Sequence, residues 1–182
     1  MDGDSSYSRF IAGDNSALGA LVEKYNKSLV FYLTGMLGSV ALAEDIAADT
    51  FVELLIKKPR LKTEVAFRAY LYKAARNNAY DHMRKMNRRG ETVDISDMDL
   101  ADGVSLEEQL LKTERDVRLH NAMARLPSDY KDVLHLLYFE DMDYATAAKV
   151  MKKSVKQITN LAYRGREALR KILEREGYGY EV

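Results

Sequence analysis

The chain has 182 residues, of which 47% are hydrophobic and 31% charged, and its formal net charge is zero. This length suits one medium domain or two small ones, because most domains have about 100–150 residues. Cysteine is absent, and the three histidines show no pairing at helical spacing, so we expect neither a metal nor another cofactor. The polar N-terminus and the lack of an apolar run of ~20 residues predict a cytoplasmic protein without membrane insertion.

The charges fall into three blocks along the chain. Basic residues dominate from 57 to 89, acidic residues occupy 91–111 without a Lys or Arg, and basic residues dominate again from 149 onward. A basic surface needs an anionic partner, and a nucleic acid is the simplest polyanion. This pattern indicates two polyanion-binding modules joined by an acidic linker. The expected boundaries are 1–90, 91–104 and 105–182.

Apolar residues recur at helical spacing throughout, and strand patterns are weak, so we predict an all-α fold of two small helical domains. In the first module, Asp14 or Asn15 can cap one helix and Ser39 the next, which Pro59 ends. The second of these helices carries an acidic stripe, in which Asp45, Asp49 and Glu53 are spaced four residues apart. Like charges at this spacing repel, which suggests a basic partner; a merely solvated face is an equally good interpretation.

A third helix, from about Val65 to Arg89, is predicted to combine a core stripe with a basic stripe on another side. A basic loop, residues 58–62, precedes it. Cations neutralise phosphates, aromatic rings stack on bases and amides read base edges. The candidate residues of loop and helix are Lys58, Arg60, Lys62, Lys73, Arg76, Asn77, Tyr80 and Arg84. A solvated basic helix is the alternative interpretation.

The second module contains a helix-turn-helix candidate. Ser105 with Glu108 has capping-box spacing at the module's start, Asp143 can cap a short helix, and a second capping-box pattern opens a longer helix after a turn at Lys152. A glycine is often needed at such a turn, because the backbone there is left-handed. The residues expected to read major-groove base edges and grip phosphates are Ser154, Lys156, Gln157, Thr159, Asn160, Tyr163 and Arg164. An ordinary amphipathic hairpin would share this pattern.

These elements, in this order, resemble the sigma-70 superfamily, specifically its extracytoplasmic-function (ECF) group. The segment AEDIAADTFVELL is similar to region 2.2, FRAYLYKAARNNAYDHMRK to regions 2.3 and 2.4, and residues 126–169 to region 4. The resemblance implies a sigma factor that binds core RNA polymerase and directs promoter-specific initiation without catalysing a reaction. Whether an anti-sigma factor restrains the chain stays open.

The resemblance also assigns roles to residues. The polymerase-docking segment corresponds to Asp45, Asp49, Thr50 and Phe51. The basic loop and the basic stripe of the third helix correspond to the surface that captures the minus-ten element as a melted strand. The helix that begins at Ser154 corresponds to the one that binds the minus-thirty-five element in the major groove.

Two alternatives compete with this interpretation. One is a stand-alone helix-turn-helix regulator whose first module senses a ligand or forms dimers. The acidic stripe and the basic loop have no evident use in such a protein. The other is a small nucleic-acid-processing enzyme with Mg²⁺ at Asp45 and Asp49, although magnesium sites normally need oxygens from several elements.

Overall fold

The computed structural model describes residues 6–90 and 114–177. All regular structure in these two stretches is helical, which confirms the predicted all-α class. Each stretch belongs to its own compact unit. The predicted linker at 91–104 and the predicted capping box of Ser105 and Glu108 lie outside the described residues.

The first unit contains α1 (Ser6–Ile11), α2 (Ser16–Leu37), α3 (Val40–Lys57) and α4 (Glu64–Arg88). The long helix α2 packs against the other three, and α3 also packs against α4. The largest fully buried side chains of this unit are Phe10, Leu29, Leu33, Leu54, Phe67, Leu71, Tyr32 and Tyr72. Burial of such side chains stabilises the bundle by roughly 1.5–3 kcal/mol each.

Local hydrogen bonds define where these helices begin. The sequence offered Asp14 or Asn15 as the cap of α2. Asp14 takes this role, because its side chain accepts from the Ser16 amide at 3.0 Å. Ser39 accepts from an amide of the first turn of α3 at 3.3 Å, as predicted. Thr63 caps α4 in the same way at 3.1 Å.

The short helix α1 is an element that the sequence patterns did not predict. Tyr7 and Phe10 are its buried residues. The Tyr7 ring lies 4.5 Å from the Phe67 ring, between centroids, and its hydroxyl donates to the Pro59 carbonyl. Burial, with a smaller contribution from the nearby Tyr70, raises the pKa of Tyr7 to about 12. Helix α1 therefore fastens the basic loop to the start of α4.

The second unit contains α5 (Glu114–Ala124), α6 (Ser128–Leu134), a π-helical turn (His135–Phe139), α7 (Tyr144–Met151) and α8 (Val155–Arg175). The long helix α8 packs against α5, α6 and α7. A Cβ added at Gly165 would lie 3.3 Å from the Leu134 side chain, so α6 and α8 cross closely there.

The predicted short helix, turn and long helix are confirmed in this unit. Asp143 caps α7 by accepting from the Thr146 amide at 2.7 Å. Lys152 forms the turn in the left-handed conformation, with φ of 54°, and so takes the place of the expected glycine. Ser154 and Gln157 form the predicted capping box at the start of α8.

Candidate nucleic-acid interfaces

The outward side of α4 carries a line of polar and aromatic residues. Tyr70, Lys73, Asn77 and Arg84 follow one another at helical spacing, opposite the buried side of the helix. Neither the Lys73 nor the Asn77 side chain has a hydrogen bond or ion pair within residues 6–90 and 114–177. Arg84 pairs with Asp81 at the exposed surface. This stripe therefore offers a cation and an amide to an external ligand.

The basic loop directly precedes α4 along the chain. Lys58 ends α3 in a left-handed conformation with φ of 39°, and its Nζ lies 5.2 Å from the centroid of the Phe10 ring. Arg60 and Lys62 are exposed and have no ion pair in the described part of the chain. Tyr7 of α1 bonds to Pro59 in the loop and packs on Phe67 in the first turn of α4, so α1 holds the loop at the start of this helix. That the loop and the basic stripe bind one ligand stays a prediction.

Arg76 differs from the other predicted minus-ten residues. Its side chain is only 8% exposed, and its guanidinium carbon lies 4.6 Å from the centroid of the half-buried Tyr80 ring. The expectation that Arg76 belongs to the outward basic stripe is therefore corrected. The reason is geometric: successive residues turn by about 100°, so Arg76 lies well to one side of Asn77, at the border of the core.

The outward face of α3 combines acidic and apolar residues. Asp45 and Asp49 are exposed and have no partner among the described residues. Val52 and Ile56 lie on the same side of the helix and are 53% and 77% exposed. The charge pattern identified the two aspartates but not the apolar residues beside them. Val52 and Ile56 could have been predicted, because helical spacing places them on the same side of α3 as Asp45 and Asp49.

Thr50 and Phe51 are not part of this outward face. They are 1% and 5% exposed. Thr50 donates to the Ile46 carbonyl at 2.7 Å and accepts from the Asn78 amide at 3.2 Å. The expectation that these two side chains contact a docking partner is corrected, because both are buried within the unit and Thr50 bonds to Asn78 of α4.

Glu53 also departs from the predicted acidic stripe. Its carboxylate accepts from Lys57 and, at 3.1 Å, from the Asn78 amide. The hydrogen bond from Lys57 is the largest cause that lowers the pKa of Glu53, and Asn78 contributes to the same shift. Since Lys57 compensates its charge, the uncompensated acidic face of α3 reduces to Asp45 and Asp49.

In the second unit, all the predicted residues of α8 and its cap are exposed. Lys156, Asn160 and Arg164 lie four residues apart and have no partner among the described residues. Tyr163, beside this line, is 62% exposed. Thr159 donates to the Val155 carbonyl at 2.9 Å. The first three turns of α8 thus present uncommitted cations, an amide and an aromatic ring.

Gln157 is partly committed to the fold. Its Oε1 accepts from the Ser154 amide at 2.8 Å, and its own backbone amide donates to Ser154 Oγ at 3.2 Å. While the capping box holds, the Gln157 side chain can donate from its NH₂ group but has less capacity to accept. Bidentate recognition of adenine needs both functions, so Asn160 suits that task better than Gln157.

One cation in the later turns of α8 is paired within the helix. Arg170 pairs with Glu167 at 2.9 Å and with Glu174 at 3.0 Å. In the first three turns, Lys156 and Arg164 have no ion pair among the described residues. The start of α8, next to the turn that follows α7, therefore presents cations that can bind an external anion.

The helical fold and the helix-turn-helix at the start of α8 are typical of a DNA-binding protein. Family models match both units: sigma-70 region 2 over residues 21–89, and sigma-70 region 4 over residues 116–169. The chain is 28% identical to the RNA polymerase sigma-H factor of Pseudomonas aeruginosa, covering 89% of each chain. It is 27% identical to the ECF RNA polymerase sigma factor SigW of Bacillus subtilis, covering 88% of this chain and 91% of SigW.

Solved structures share the fold. CnrH, in a complex with the cytosolic domain of CnrY, superposes with a TM-score of 0.67 at 20% identity, covering 93% of this chain and 96% of the other. The sigma factor RpoE of Bartonella quintana, in a complex with the anti-sigma factor NepR, also gives 0.67 at 20% identity, covering 86% and 96%. The chain belongs to the sigma-70 superfamily, in the group of ECF RNA polymerase sigma factors.

No helix at 6–90 or 114–177 combines the length and the apolar character that crossing a bilayer requires.

Proposed function

We propose that the chain binds core RNA polymerase, places its first unit on the minus-ten element and its second unit on the minus-thirty-five element, and thereby selects promoters. It catalyses no reaction itself and acts in the cytoplasm. Binding energy drives strand separation, because the unpaired strand gains contacts that the duplex lacks.

One observation carries this proposal above the alternatives: the outward face of α3. Asp45 and Asp49 stand beside the exposed Val52 and Ile56 on one side of the helix. A surface with apolar residues and uncompensated acids suits a partner helix with an apolar stripe and basic side chains. If two copies of a stand-alone regulator paired through this face, they would bring the like charges of Asp45 and Asp49 together, which disfavours a dimer. A polymerase subunit, in contrast, requires a docking face for its basic partner.

The basic surface of the first unit suits an unpaired strand. Arg60, Lys62 and Lys73 can neutralise successive phosphates, and the uncommitted amide of Asn77 can read the edge of an extruded base. The ring of Tyr80 can stack on a base. These groups belong to one loop and one helix, so a single strand can contact all of them.

The start of α8 suits duplex DNA. Its exposed N-terminal turns follow the short helix α7 and a tight turn, which is how a helix-turn-helix presents its recognition helix to the major groove. We assign base reading chiefly to Asn160 and Arg164, and phosphate contacts to Lys156. Ser154 and Gln157 have the additional task of holding the helix start.

An anti-sigma factor is a further proposed partner. CnrH was solved in a complex with the cytosolic domain of CnrY. The Bartonella RpoE was solved in a complex with NepR, which is named an anti-sigma factor. An inhibitor of this chain would act by covering the polymerase-docking face or the DNA-binding faces described above.

Gel filtration with purified core polymerase tests the docking face. The wild-type chain is expected to co-elute with the polymerase. The double variant Asp45→Lys/Asp49→Lys should weaken the complex about 100-fold, roughly 1.4 kcal/mol for each residue, and Ile56→Glu should also weaken it.

A matched control is Glu23→Lys, a charge reversal at an exposed position on α2 of the same unit. This variant should co-elute like the wild type. Failure of the wild type to co-elute would favour the stand-alone regulator. An equal loss per reversed charge in Asp45→Lys/Asp49→Lys and in Glu23→Lys would show that net charge matters rather than the face of α3.

A further inference from the structure

We propose that Arg76 is a positioning residue: it holds the ring of Tyr80 as a fixed stacking platform for an unpaired base and makes no contact with the DNA backbone itself. The inference rests on the proposed role of α4 at the minus-ten element. It assigns to Arg76 a task different from that of the other cations of the same surface.

The burial of Arg76 separates it from those cations. With 8% of its surface exposed, its side chain cannot reach a phosphate without leaving its site. Lys73, three residues earlier, is more exposed and has no partner in the described stretches. Phosphate contact is therefore a task for Lys73, whereas the charge of Arg76 is directed at its protein neighbours.

The geometry shows which neighbour Arg76 supports. Its guanidinium carbon lies 4.6 Å from the centroid of the Tyr80 ring, within the ~6 Å range of a cation–π contact. Its Nη2 also lies 3.4 Å from the Tyr80 hydroxyl oxygen. The two residues are four apart on α4, so the helix itself brings them together. A planar guanidinium that contacts both the ring and its hydroxyl restricts the ring's rotation.

This arrangement prepares the site for a flipped base. One face of the Tyr80 ring is taken by Arg76, so base stacking is confined to the remaining face. Asn77 lies on the neighbouring side of α4 and has an uncommitted amide. A ring that is already fixed loses less conformational freedom when a base stacks on it, which strengthens binding. Lysine at position 76 would keep the charge but lose the planar group that stacks.

The test uses the full chain in a complex with core polymerase and a fluorescent single-stranded minus-ten oligonucleotide. Anisotropy at several salt concentrations gives both the affinity and its salt slope. Arg76→Gln should weaken binding about tenfold without changing the slope, since no phosphate contact is lost. Lys73→Gln, the matched variant, should weaken binding and reduce the slope by about 0.7, because a phosphate contact is lost.

A double-mutant cycle identifies the residue through which Arg76 acts. Arg76→Gln should cause no further loss in a Tyr80→Leu background, because the ring that it positions is gone. Additive losses, or a slope reduced as in Lys73→Gln, would overturn the inference.

Co-elution with polymerase checks that each variant is folded. If Arg76→Gln fails this check, Arg76→Lys replaces it, with the same tenfold loss and unchanged slope expected; wild-type affinity in Arg76→Lys would overturn the inference. If the wild-type complex forms but does not bind the oligonucleotide, the minus-ten role of α4 fails, and the role of Arg76 fails with it. If the wild-type complex binds the oligonucleotide but the losses from Arg76→Gln and Tyr80→Leu are additive, only the positioning role of Arg76 is overturned.

Discussion

At the scale of single residues, Lys152 adopts a backbone conformation that is uncommon for a residue with a side chain. It sits between α7 and α8 with φ of 54°, in the left-handed region, and its backbone N–H donates to the Ala148 carbonyl. For a residue with a Cβ this conformation costs roughly 1–2 kcal/mol, a cost that glycine avoids. The helix-turn-helix geometry is thus kept at some expense in stability.

We predict that Lys152→Gly stabilises the protein. The relief of backbone strain exceeds the extra conformational entropy of glycine in the unfolded chain, which leaves a net gain of about 0.5–1 kcal/mol. Urea unfolding of the two proteins measures this difference. The matched variant Lys149→Gly, at an exposed position inside α7, should lose about 1 kcal/mol. A loss of stability in both variants would contradict this account of the turn.

At the scale of elements, the crossing of α6 on α8 depends on one small residue. A Cβ at Gly165 would lie 3.3 Å from both Cγ and Cδ1 of Leu134, and 3.4 Å from the Tyr130 Cβ. These distances are tight, and Leu134 is itself buried, so it has little room to move. Gly165 therefore sets how closely the two helices approach.

We predict that Gly165→Ala destabilises the protein by roughly 1–3 kcal/mol, because the added methyl group overpacks the helix crossing. Gly19→Ala in α2 is the matched control, since a Cβ there meets nothing within 4 Å. That change should stabilise the protein by about 0.5–1 kcal/mol through helix propensity. Thermal unfolding compares the two. Stabilisation by alanine at both positions would show that the crossing is looser than described.

The helix caps show what the sequence could predict at this scale. Ser39, Asp143 and the box of Ser154 and Gln157 each involve a bond to an amide three residues away, so a local pattern was enough to find them. The class of fold followed in the same way from helical periodicity.

Other features depend on contacts between distant parts of the chain and were missed or misplaced. Helix α1 is short, and it is held by the contacts of Tyr7 with Pro59 and Phe67, more than fifty residues away. Arg76 was placed in the basic stripe because helical spacing puts it on the same side of α4 as Lys73 and Tyr80, whereas packing of the bundle leaves only 8% of it exposed. Periodicity gives the faces of a helix, but not how deeply a border residue is covered.

At the scale of the whole molecule, a net charge of zero conceals three faces of different character. Two are cationic, on the basic loop with α4 and at the start of α8, and one is acidic and apolar, on α3. If the two cationic faces bind DNA as proposed, binding to promoter DNA should weaken steeply as salt rises. In the proposed function, the face of α3 binds the polymerase and the cationic faces bind DNA, so one chain can bind both at once.

The most direct test of this account is run-off transcription from a genomic promoter library, with core polymerase and the purified chain. We predict transcripts that core polymerase alone does not produce, from promoters that share a minus-ten and a minus-thirty-five motif. The variant Asp45→Lys/Asp49→Lys should abolish these transcripts. A transcript pattern identical to that of core polymerase alone would contradict the account.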